Sequence, residues 1–126
     1  MAVIELDLNS AGQTQSAVVG DEVVVVLDET PTSGYRWAPE AFDDAILAAL
    51  DDAFTPPEPG LLGASGRHRF RFAIVGPGQT ALRLVVRRPW DAAAVAETFE
   101  TTIDAALRAD GDEDVATETD EGEPGP

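Results

Sequence analysis

Hydrophobic residues recur at every second position along most of this chain. In Ile4-Glu5-Leu6-Asp7-Leu8 the apolar side chains fall on one face of an extended strand and the acids on the other. Val23, Val25 and Leu27 repeat the pattern, while Val24 and Val26 add apolar side chains on the second face of the same strand. His68, Phe70, Phe72 and Ile74 share a face opposite Arg67, Arg69 and Arg71. Leu82, Leu84 and Val86 alternate with Ala81, Arg83, Val85 and Arg87, and Phe99, Thr101, Ile103, Ala105 and Leu107 alternate with Glu100, Thr102 and Asp104. Gly76-Pro77-Gly78 reads as a short turn that makes a hairpin of the two strands around it. Several short strands separated by turn signals predict an antiparallel sandwich or barrel.

One segment breaks the period. Residues 42–54 hold good helix formers with apolar side chains three and four apart, and the proline-rich stretch 55–60 follows. Propensity alone predicts a short helix there.

Composition adds limits. A chain of 126 residues, 44% apolar, suffices for one filled core. Residues 109–126 hold eight acids, no basic residue and no aromatic, and are expected to form a disordered acidic tail behind a folded domain over 1–108. The net charge is −16, and residues 1–108 alone carry −8. Such a charge opposes binding to nucleic acid or to anionic membranes. All eight basic residues are arginines, and there is no cysteine, which excludes disulfides and thiol chemistry. The start of the chain has no basic region before its apolar stretch, so a cytoplasmic protein is expected.

Little points to catalysis. The single histidine, His68, is in phase with Phe70 and Phe72, as a half-buried residue near a strand end would be. Gly63-Ala64-Ser65-Gly66 lacks the spacing of a nucleophile elbow, and an enzyme using Ser65 or His68 is the weakest reading. Asp110, Asp112, Asp114 and Glu121 match four positions of a calcium loop, but Val115 stands where its glycine belongs. No metal, cofactor or catalytic residue is therefore assigned. Arg67, Arg69, Arg71, Arg83 and Arg87 would line the outer face of one hairpin, where partners such as Glu100 or Asp104 suit them better than nucleic acid.

Three loops are more informative. Thr30-Pro31-Thr32-Ser33-Gly34-Tyr35 follows an apolar strand; its proline and glycine frame a narrow tip of small hydroxyl residues, with Trp37 placed in the core beyond it. Gly63-Ala64-Ser65-Gly66 follows Leu61-Leu62 and precedes a strand. Arg88-Pro89-Trp90 directly follows another, where Trp90 reads either as a cap on the core or as a binding anchor.

In these three motifs, their order and their spacing, the chain resembles the chagasin family of inhibitors of papain-like cysteine proteases over roughly residues 1–107. The resemblance implies an immunoglobulin-like, all-β sandwich with three binding loops at one end, and a strand over 47–54 in place of the helix. It implies a monomer that reversibly and non-covalently occludes the cleft of a papain-like protease. Pro31, Thr32, Ser33 and Gly34 would form the central wedge, with Thr30 and Tyr35 at its base. Gly63, Ala64, Ser65 and Gly66 would flank one side, and Arg88, Pro89 and Trp90 the other. The chain also departs from the family pattern: Val86 and Arg87 differ from the commonest residues before Arg-Pro-Trp, and two loop positions matter more. Thr30 replaces the usual asparagine, which predicts a less rigid wedge; Ser65 replaces a glycine, which predicts a looser approach to the protease. The alternative is a non-inhibitory module that kept the scaffold and binds another intracellular protein.

Overall fold

The computed structural model describes residues 2–57, 64–88, 90–91 and 95–108. Eight strands run in chain order: β1 (Val3–Leu6), β2 (Thr14–Val18), β3 (Glu22–Glu29), β4 (Arg36–Ala41), β5 (Leu47–Thr55), β6 (Gly66–Ile74), β7 (Gly78–Arg87) and β8 (Val95–Ala106). They form two four-stranded sheets, ordered β1-β3-β6-β5 and β2-β8-β7-β4. The alternating stripes supply the core between them: Val23, Val25 and Leu27 of β3 and Phe70, Phe72 and Ile74 of β6 meet Leu82, Leu84 and Val86 of β7 and Phe99, Ile103 and Ala105 of β8. Burial of these side chains is the main force holding the sheets face to face.

Four ladders, β3–β6, β5–β6, β4–β7 and β7–β8, are antiparallel as the alternation predicts. At one edge of each sheet the pair is parallel instead: β1 runs along β3, and β2 along β8. Asp21 fastens this corner. Its buried carboxylate accepts from the Ala2 amide at 2.9 Å and the Val18 amide at 3.1 Å, with the Arg108 guanidinium 3.4 Å away. Burial alone pushes the carboxyl up, but the two amides and Arg108 outweigh it and hold it below its ordinary value.

Two expectations need correction. Gly76-Pro77-Gly78 does not close a hairpin, because β6 and β7 belong to different sheets and β7 pairs with β8. The turn carries the chain across the sandwich. The Val75 amide beside it donates to the Ile46 carbonyl at 2.8 Å, which ties the turn to the start of β5. The arginines accordingly do not form one stripe. Arg71 on one sheet joins Glu22 and Asp51, whereas Arg83 and Arg87 on the other join Glu40, with Glu100 also on Arg83. The hydrogen bonds from Arg71 hold the Glu22 carboxyl below its ordinary range.

Residues 47–54 are strand, as the family resemblance implied and propensity did not. The register explains why. Ala49 faces Phe72 and Asp51 faces Arg71, which leaves Leu50 as an extra residue in a β-bulge. The bulge resets the alternation, so Leu47, Leu50 and Phe54 fall at helix-like intervals. The helical tendency survives only as a turn, in which the Ile46 and Leu47 amides both donate to the Asp43 carbonyl.

Candidate functional site

The β3–β4, β5–β6 and β7–β8 connections hold the three motifs found in the sequence, and they come together at one end of the sandwich. The first is bonded within itself. Pro31–Ser33 forms a 3-10 turn with proline at its start, where a missing N–H costs nothing. The Ser33 amide donates to the Thr30 carbonyl at 3.1 Å and the Ser33 hydroxyl to the same oxygen at 2.7 Å. The Tyr35 amide in turn donates to the Ser33 hydroxyl at 3.1 Å. Gly34 ends the turn at φ +80°, in the left-handed region that glycine enters freely. These bonds leave Thr32 and Ser33 exposed at the tip.

The base of this loop is closed from below. The Trp37 amide donates to Glu29 Oε1 at 2.8 Å, and the Trp37 indole N–H donates to the Asp28 carbonyl at 2.9 Å. Trp37 is 4% exposed, in the core as expected. Glu29 is equally buried, and its Oε1 also lies 2.9 Å from His68 Nδ1, while His68 Nε2 lies 2.6 Å from Asp52 Oδ2. The His68 ring stacks on Phe70 with centroids 4.2 Å apart. This Glu29–His68–Asp52 chain joins β3, β6 and β5 beneath the loops. Sequence reasoning missed it, although Glu29 continues the inward phase of Val23, Val25 and Leu27. A charged residue in that phase calls for a buried partner, and His68 was the in-phase candidate on another strand.

The other two loops rest against the first. In the second, the Ser65 hydroxyl lies 2.9 Å from the Thr30 hydroxyl. Gly66 passes so close to the Thr55 carbonyl and the Phe54 ring that no side chain fits there. In the third, the Arg88 guanidinium sits 4.8 Å above the centre of the Tyr35 ring. Trp90 is 73% exposed, so it is no cap on the core. Its indole edge lies over Gly34, where an added Cβ would come within 2.9 Å of Cη2. Thr30, Pro31, Thr32, Ser33, Gly34, Tyr35, Ala64, Ser65, Gly66, Arg88 and Trp90 are thus gathered at one edge. Gly63 and Pro89, with Leu61 and Leu62, lie outside the described residues, as do the calcium-like positions of 109–126.

Fold and loops together define a β-sandwich that presents three braced loops at one end. The family profile described as Chagasin family peptidase inhibitor I42 matches residues 16–104. The chain belongs to the chagasin family. It is 30% identical to Chagasin of Trypanosoma cruzi over 83 residues, which cover 63% of this chain and 76% of that protein. Among solved structures it resembles the cysteine protease inhibitor EhICP2 of Entamoeba histolytica, with a TM-score of 0.74 and 19% identity over 84% of this chain and 97% of that one. It also resembles PbICP-C, whose structure was solved in complex with falcipain-2, with a TM-score of 0.60 and 17% identity over 83% and 99% of the two chains.

Proposed function

We propose that this protein is a reversible, non-covalent inhibitor of papain-like cysteine proteases that occludes the cleft with its three-loop edge. Thr32, with Pro31, Ser33 and Gly34, forms the wedge; Ala64, Ser65 and Gly66 flank it on one side and Arg88 and Trp90 on the other. The observation that carries this reading is the bracing of the first loop. It is held by its own 3-10 turn, by Ser65 on one side and by Arg88 and Trp90 on the other. A loop ordered before docking loses little conformational entropy on binding. A 3-10 turn also differs from the extended backbone that a protease cleaves, so the inhibitor is not consumed as substrate.

Family membership and the falcipain-2 complex of PbICP-C support the same target class. Occlusion without turnover fits the partners of the two residues an enzyme would need. The Ser65 hydroxyl is bonded to Thr30, and both His68 ring nitrogens face carboxylates. An interface of ordinary inhibitor size would bury on the order of 1,600 Å².

Titration into papain with a fluorogenic substrate tests the proposal. Nanomolar loss of activity that reverses on dilution is the expected result. Undiminished activity at high micromolar concentrations of folded protein would overturn it and favour a non-inhibitory binding module.

A further inference from the structure

The β3–β6 ladder reaches the loop end with Glu29 opposite Gly66 as its last backbone pair. One step further, Thr30 stands opposite Ser65, and there the two hydroxyls meet at 2.9 Å. Thr30 keeps an extended backbone, at φ −100° and ψ 110°. Its side chain makes no capping bond to the 3-10 turn that begins after it, although threonine at that position commonly does. The hydroxyl is turned across to the second loop instead.

We infer that Thr30 and Ser65 are a positioning pair, a side-chain rung that continues the ladder where the backbone rungs stop and fixes the first loop against the second. Two of the residues at which this chain departs from the family pattern are therefore partners. Ser65, expected to loosen the approach to a protease, supplies the group that Thr30 bonds; Thr30, expected to leave the wedge less rigid, is tied from the side. Neither hydroxyl has this function without the other.

The inference rests on the inhibitor reading for its effect on a protease, so the test has one readout that needs no protease. In the full chain, Thr30→Val, Ser65→Ala and the double variant each remove the rung, and Thr30→Ser keeps it. The first readout is hydrogen exchange of the Ser33, Gly34 and Tyr35 amides, all bonded within the first loop. Each single variant should speed their exchange about 3–10-fold, the double variant no more than the worse single, and Thr30→Ser less than about twofold. The second readout is the inhibition constant toward papain, which should rise in the same pattern while the melting temperature stays within about 2 °C, because the pair is exposed.

Single effects that multiply in the double variant would overturn the pair, as would exchange in the singles equal to wild type. A Thr30→Ser variant as poor as Thr30→Val would do so too. The expected exchange pattern with unchanged inhibition would overturn the positioning role. Wild type that shows the exchange pattern but no inhibition would defeat the inhibitor reading and leave the rung standing.

Discussion

Replacing Gly34 with alanine acts on backbone and neighbour at once. At φ +80° an L-residue costs about 1–2 kcal/mol relative to glycine. For a domain of this size that lowers the melting temperature by roughly 5–10 °C. The new Cβ also falls 2.9 Å from Trp90 Cη2, too close for the ring to stay where it is. Since Trp90 is exposed, its ring can swing clear at little cost to folding, and what is lost is its seat over the first loop. A domain stable by about 5–15 kcal/mol remains almost wholly native after losing 1–2 kcal/mol. Any weakening of inhibition then reports loop geometry and not unfolding. Dislodging an aromatic anchor removes about 2 kcal/mol of binding, roughly thirtyfold in the inhibition constant. Circular dichroism melts and papain titrations at 25 °C measure the two effects separately. A lowered melting temperature with an unchanged inhibition constant would refute the seating of Trp90 by Gly34, and an unchanged melting temperature would refute the strain.

Other substitutions probe the rest of the edge and the frame beneath it. Trp90→Ala should weaken papain inhibition by about 2 kcal/mol or more with little change in melting temperature, whereas Thr32→Ala at the tip should cost less; equal inhibition by Trp90→Ala removes the third loop from the contact. Glu29→Ala leaves the Trp37 amide and His68 Nδ1 without their buried partner, and urea melts should show a loss of about 2–4 kcal/mol. Asp21→Asn should destabilise the domain by about 1–2 kcal/mol at neutral pH. Because folding holds this carboxyl below its ordinary 3.8, its contribution is complete above that value and fades as pH falls through the depressed one. The gap between wild type and Asp21→Asn in melts should therefore narrow in acid, and a gap that widens would contradict the assignment.

The strands with regular alternation were legible because each buries one face against the opposite sheet, as Phe70, Phe72 and Ile74 do. Residues 47–54 were not legible from periodicity, since a single extra residue at Leu50 shifts the phase and imitates a helix. Gly76-Pro77-Gly78 announced a reversal of the chain, but a local turn signal does not say which sheet the next strand joins. The parallel placement of β1 and β2 is likewise set by distant partners, β3 and β8. At the site, glycines, prolines and hydroxyl residues marked the loops because those positions need special backbone geometry. The contacts between loops, Thr30 to Ser65 and Gly34 to Trp90, join residues 35 and 56 positions apart, and no local pattern encodes them.

The pairing of β2 with β8 has a kinetic consequence. That ladder joins Thr14 to Thr102 and Val18 to Ala106, so one edge of the sandwich can form only after nearly the whole domain has been made. The first loop passes from one sheet to the other, and its supports come from the β5–β6 and β7–β8 connections. Folding dominated by such distant contacts is slow compared with that of helical bundles, because loop closure must precede the contacts that reward it. The three-loop edge is correspondingly a late product of folding. A nascent or nicked chain lacking β8 would carry the Thr30–Tyr35 sequence without the frame that shapes it, and that segment would meet a protease as an ordinary flexible peptide.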